Sequence, residues 1–226
     1  MHLLFDLDGT LSDPFPGISR CLQHALVSLG RPAPSAEGLR WSIGPPLQEN
    51  LAILLDSSDQ DLIAAGVAHY RERFGTVGLF ENKVYPGIEV MLAELKGQGH
   101  TLGVATSKPT VFARRIVNHF RLAKYFNSVD GSELDGTRRD KGDLLAHLLR
   151  REAVEASDAV MIGDLGRDIA GARRNGVAGV GVLWGYGSKG DLEIAGALAC
   201  AATPEELPEI IQHKLAPDTM VKGALA

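Results

Sequence analysis

Apolar residues along this chain fall into two rhythms. One is the short unbroken run, as in Leu3-Leu4-Phe5, Thr101–Ala105, Phe126–Asp130, Ala159–Gly163 and Ala178–Leu183. Bounded by turn-forming residues, such runs read as strands buried on both faces. The other rhythm returns every third or fourth position and predicts amphipathic helices. Ile18, Leu22, Ala25, Leu26 and Leu29 make one such stripe, with Gly30 placed to stop it. Leu47, Leu51, Leu54 and Leu55 make a second, and Leu62, Ile63, Val67, Tyr70 and Phe74 a third. From Val84 the two rhythms alternate: Pro86 opens a helix that Gly97 and Gly99 close, and further helices are expected around 110–120, 140–151 and 168–175. Alternating strands and helices build a parallel sheet covered on both faces. The expected fold is therefore α/β and doubly wound, with a core from residues 1–15 and 84–226. A helical cap, residues 16–83, is inserted after the first strand. Pro217 to Ala226 read as a loose tail.

Composition narrows the function classes. The 226 residues are 45% hydrophobic and 23% charged, ordinary values for a globular protein. A net charge of −5 speaks against a nucleic-acid polymer as partner. No apolar run approaches the roughly 18 residues a membrane helix needs, and because the amino terminus goes straight into a strand no secretory signal is expected. Cys21 and Cys200 are the only cysteines, and neither has metal-type spacing. A cytoplasmic protein with a small-molecule partner is expected.

The chemistry collects where strands end. Leu3-Leu4-Phe5-Asp6-Leu7-Asp8-Gly9-Thr10 carries two acids one residue apart, so both side chains leave the strand on one side, and Gly9 allows a sharp turn. Crowded carboxylates at a buried strand end require a proton or a shared cation. The strand at 101–105 ends in Thr106-Ser107-Lys108-Pro109. There, hydroxyls and backbone N–H groups before a helix suit an anion, although taken alone Thr106 or Ser107 reads more simply as a helix cap. Lys141, in Gly136-Thr137-Arg138-Arg139-Asp140-Lys141, precedes an amphipathic helix where a cation opposes the helix dipole unless anions lie nearby. Arg138 and Arg139 stand beside it as competing cations. Finally, the strand Val160–Gly163 ends in Asp164, and Asp168 follows at a helix start. Asp168 suits a cap there; Asp164 adds a third like charge near Asp6.

In order and position these motifs resemble those of the haloacid dehalogenase-like hydrolases: Asp-x-Asp-Gly-Thr, then a strand-end Thr, a Lys, and Gly-Asp-x-x-x-Asp. The resemblance implies a doubly wound, mainly parallel Rossmann-like sheet with an α-helical cap. It also implies Mg²⁺-dependent hydrolysis of a phosphomonoester through an aspartyl-phosphate. Asp6 would be the nucleophile and Asp8 the general acid/base. Thr106, Ser107 and Lys141 would hold the phosphoryl oxygens. Mg²⁺ would be bound by Asp6, the Asp8 main-chain carbonyl and Asp164, with Gly9 and Asp168 in support. Mg²⁺ prefers oxygen ligands, and no thiolate or histidine cluster suggests zinc. Gly142 departs from the Lys-Pro pair common in the family.

The branch resembled is the phosphoglycolate phosphatase-like one, and Gly131–Arg138 looks most like its 5′-nucleotidases. Nucleoside 5′-monophosphates are thus the expected substrates, with phosphoglycolate the alternative. A sugar-phosphate mutase and a non-catalytic binding module are the remaining readings. Ile43, Gly44 and Pro45, in the proline-bearing link Ser42–Pro46, are candidates for substrate selection or a plain connector. Gly185-Tyr186-Gly187-Ser188-Lys189-Gly190 matches a dinucleotide-type glycine pattern, but too little chain follows for that unit, so a mobile loop at the site's edge is expected.

Overall fold

The structure, a computed structural model, describes residues 1–214. The expected tail from Pro217 to Ala226 lies outside them. Strand β1 (His2–Phe5) is followed by the two-residue β2 (Ser12–Asp13) and three helices, α1 (Phe15–Ser28), α2 (Leu47–Leu55) and α3 (Gln60–Phe74). Short β3 (Lys83–Val84) then leads into α4 (Ile88–Gly97), β4 (Thr101–Pro109), α5 (Thr110–His119) and β5 (Ser128–Ser132). The chain continues through α6 (Lys141–Glu152), β6 (Ala159–Gly163), α7 (Gly166–Arg174) and β7 (Ala178–Val182). It closes with α8 (Lys189–Ala195), β8 (Ala199–Ala201) and α9 (Leu207–Lys214).

Six strands form one sheet in the order β5-β4-β1-β6-β7-β8, parallel throughout. Side chains alternate between its faces. Leu4, Ala105 and Met161 meet Leu144, Leu145 and Leu148 of α6 and Ala172 of α7 on one side. Leu3, Phe5, Leu102, Val104, Val160 and Ile162 enter the larger core that includes α1, α3, α4 and α5 on the other. β1, the central strand, is buried from Leu3 to Phe5, as its unbroken apolar run requires.

Helices α1–α3 leave and rejoin the sheet through β2 and β3, which pair antiparallel with Ser12 opposite Val84 and Asp13 opposite Lys83. Their ends follow local chemistry. Gly30 takes φ 68° after α1, a left-handed turn that suits glycine. Asp59 caps α3 by accepting from the Asp61 and Leu62 N–H groups.

Three boundaries differ from expectation. Pro86 lies in the turn before α4, which begins after Gly87 at φ 84°. β4 runs four residues beyond Ala105, to Pro109, with a register shift between Thr106 and Pro109. The third difference lies after β7: α8, β8 and α9 follow, and Ser188 caps α8, so the glycine-rich segment leads into a helix.

Candidate active site

The carboxyl ends of β1, β4 and β6 and the start of α6 meet at one edge of the sheet. Asp6 prolongs β1 by donating its N–H to the Ile162 carbonyl (2.8 Å), which sets it beside the end of β6. Gly9 turns with φ 84°, and a Cβ there would collide with the Asp164 carboxylate. That contact is the physical demand for glycine. Thr10 Oγ1 donates to Asp164 Oδ1 at 3.2 Å, and the Tyr186 N–H donates to its Oδ2 at 2.8 Å.

Lys141 is buried at the first turn of α6. Its ammonium donates to the Ala105 carbonyl at 2.7 Å and lies 3.0 Å from Asp6 Oδ1 and 2.9 Å from Asp168 Oδ1. Burial alone would lower its pKa, but Asp168 and Asp6 outweigh that and raise it, so the cation is secure. Arg138 instead turns to Glu133, and Arg139 lines the cavity described below. Gly142 sits beneath the Arg174 guanidinium, which reaches over it to Asp140 and Asp143; a proline ring would meet that group.

Asp168 does two things. Its Oδ2 accepts from the Leu165 N–H (3.1 Å) at the start of α7, while Oδ1 faces Lys141. Capping and charge pairing coexist in one carboxylate. Burial, offset by Lys141 and reinforced by Asp6, pushes Asp168 up to about 6. Burial, with Asp168 and Asp6 nearby, pushes Asp164 up to about 8.

Oxygens of Asp6, Asp164 and Asp168 lie within 4.8 Å of one another, all buried. A cluster of hard oxygen donors with excess negative charge fits a divalent cation such as Mg²⁺. The Asp8 carboxylate stands outside this group, and Asp168 stands within it.

Asp8 faces a second lysine. Lys108 Nζ lies 2.7 Å from Asp8 Oδ2, and the ammonium sits 4.6 Å from the Phe74 ring centre. Burial raises the Asp8 carboxyl, and Lys108 only partly counters it. Sequence reasoning did not single out Lys108. Its one clue was adjacency to Thr106-Ser107 at a strand end.

Asp6, Asp8, Thr106 and Ser107 line a cavity of about 110 Å³, closed from the helical side by Gly44, Pro45, Tyr70 and Phe74. Thr106 is buried, and its hydroxyl accepts from the Lys108 N–H (3.3 Å) rather than capping α5. Of the expected selection residues, Gly44 and Pro45 reach this cavity. Ile43 is buried and faces a separate recess with Leu165 and Tyr186. The expected mobile loop is wedged in place: Gly185 and Gly187 press on Asp164, Trp184 donates to the Thr10 carbonyl, and Tyr186 bonds Asp13.

The family model for haloacid dehalogenase-like hydrolases matches residues 3–182. A 5′-nucleotidase from Pseudomonas aeruginosa is 50% identical over 193 residues, covering 84% of this chain and 86% of that one. The tyrosine-protein kinase PtkA from Mycobacterium tuberculosis is 38% identical over 212 residues, 92% of this chain and 72% of its own length. The crystal structure of a predicted phosphatase from Clostridium acetobutylicum superposes with a TM-score of 0.89 at 38% identity, covering 93% of this chain and 97% of the other. Motifs gathered at one sheet edge, and relatives that span most of the chain, lead to one assignment: this protein belongs to the haloacid dehalogenase-like hydrolases.

Proposed function

We propose that the protein is a Mg²⁺-dependent phosphomonoester hydrolase acting on nucleoside 5′-monophosphates through an aspartyl-phosphate. The observation that carries this reading is the division of two buried aspartates between two lysines: Asp6 with Lys141, Asp8 with Lys108. Asp6 forms a bond to phosphorus as the ester P–O bond breaks, and the Asp8 carboxyl gives its proton to the departing oxygen. Its raised pKa suits that donation. In the second step a water oxygen bonds phosphorus, its proton passes to Asp8, and the Asp6–phosphorus bond breaks to release inorganic phosphate. Thr106, the Ser107 N–H and Lys141 hold the other phosphoryl oxygens. Asp6 and Asp164, with Asp168 in the same cluster and the Asp8 carbonyl as a further oxygen donor, would hold Mg²⁺, which would supply positive charge to a dianionic substrate.

Residues 16–83 act as a cap on the core formed by 1–15 and 84–214. The cavity of about 110 Å³ is smaller than the roughly 300–1,000 Å³ usual for small-molecule pockets, so in this reading a nucleotide enters with the cap lifted. Tyr70, Phe74 and Phe112 give its wall an aromatic character that suits a base. The nucleotidase relative supports the same choice. The small volume and Arg139 at the wall favour phosphoglycolate as the second reading. This proposal keeps the expected cytoplasmic location.

Phosphate release with Mg²⁺ from nucleoside 5′-monophosphates, phosphoglycolate and sugar phosphates tests the reading. Nucleotides should lead by tenfold or more in kcat/KM, about 1.4 kcal/mol. Phosphoglycolate leading by that margin reassigns the substrate, and an isomeric sugar phosphate without free phosphate means a mutase. Asp6→Asn should lose at least about 10³-fold in kcat; unchanged, Mg²⁺-dependent turnover would refute the covalent scheme.

A further inference from the structure

We infer that Lys108 is a positioning residue for the Asp8 carboxyl, and that Phe74 on α3 holds it there. The inference rests on the reading of Asp8 as the general acid/base.

Lys108 has the features of a fixed group rather than a surface lysine. Its side chain is 7% exposed, and its ammonium touches Asp8 Oδ2 at 2.7 Å. Lys141 is occupied by Asp6, Asp168 and the Ala105 carbonyl, so it has no proton left to steady Asp8. Lys108 is therefore the group that sets the carboxyl's rotation. A charge-assisted contact to Oδ2 points Oδ1 elsewhere. Oδ1 is buried and accepts no hydrogen bond, which leaves it as the oxygen that exchanges a proton with the leaving group.

The other face of the ammonium meets a ring. Phe74 is the last residue of α3, and it packs edge-on against Phe112 of α5, with ring centres 5.3 Å apart, and stacks on Tyr70. A cation over an aromatic face is attracted to it, the more so when water is excluded. The helical segment thus supplies one side of the Lys108 pocket and the sheet edge the other. With both sides in place the pocket around the Lys108 ammonium is complete.

Leaving-group dependence tests this. A p-nitrophenolate departs without a proton, whereas an alkoxide needs one. The constant kcat/KM covers the steps through leaving-group departure and excludes the shared hydrolysis of the phosphoenzyme. For the full chain with Mg²⁺, Lys108→Met should lower kcat/KM about 100-fold on a nucleoside 5′-monophosphate and less than about fivefold on p-nitrophenyl phosphate. Equal losses on both substrates make Lys108 a phosphoryl ligand and overturn the inference, as do no losses on either. Phe74→Leu keeps an apolar side chain without the π face and should shift the same ratio in the same direction by less. That variant carries the test if Lys108→Met does not fold, and an unchanged ratio refutes the role given to Phe74. Wild-type protein inactive on both substrates would instead refute the proposed function beneath it.

Discussion

Lys141 shows how a single side chain can make a cluster of acids tolerable. Its ammonium lies within 3.0 Å of two carboxylates in a region that water does not reach. Removing one partner of a buried ion pair typically costs about 3–5 kcal/mol, because the remaining charge is stranded. Lys141→Met should therefore lower the melting temperature, and Mg²⁺ should restore part of the loss while activity stays low. A thermal melt with and without Mg²⁺ reads this; melts that Mg²⁺ leaves unmoved in both proteins would argue against a cation at Asp6, Asp164 and Asp168. Asp6, Asp164 and Lys141 were legible in the sequence because each residue type is costly where it stands unless a partner of opposite charge is near. Lys108 was not legible, because a lysine among polar residues defaults to solvent. The ring that covers it, Phe74, belongs to a different element far earlier in the chain. Ile43 came with a link that two prolines stiffen, and within that link its apolar side chain is buried toward a separate recess.

Elements are tied to one another by a few polar contacts as well as by the core. Arg151 near the end of α6 grips Asp130 of β5 with two hydrogen bonds of 2.7 Å. Burial would raise the Asp130 carboxyl, but the Arg151 bonds outweigh it and hold it below its ordinary value of 3.8. A group lowered in the folded state contributes stability above its unfolded pKa and loses it as pH falls through the folded one. Asp130→Asn should thus lower the urea midpoint at neutral pH, with the gap from wild type closing as pH drops below 3.8. A gap that persists in acid would mean that Asp130 acts through packing. Most elements could be read from rhythm, since buried strands and striped helices have distinct periods. The Ala-Cys-Ala of β8 has no rhythm to read, and the extension of β4 past Ala105 follows from pairing with β5 rather than from residue type.

At the scale of the molecule the cavity has two owners. Asp6, Asp8 and Thr106 come from the sheet, and Pro45, Tyr70 and Phe74 from the helical segment. A ligand bound there joins them. Mg²⁺ with a phosphate analogue should therefore slow amide exchange in α2 and α3 as well as at the strand ends. Protection confined to the sheet would mean that the segment plays no part in closure. The four strand-end motifs were readable one by one; their shared roof was not, because its walls have no common spacing along the chain. The wedge of Gly185–Gly187 against Asp164 reaches further still. Asp6 precedes the rest of its site along the chain, and its strand has no neighbour until β4 appears and no second neighbour until β6. The wedge arrives later again, so at about 5–20 residues per second Asp6 waits on the order of ten seconds or more for its surroundings. A growing chain therefore carries Asp6 in the open, without the partners that surround it in the fold, until nearly the whole core has been synthesised.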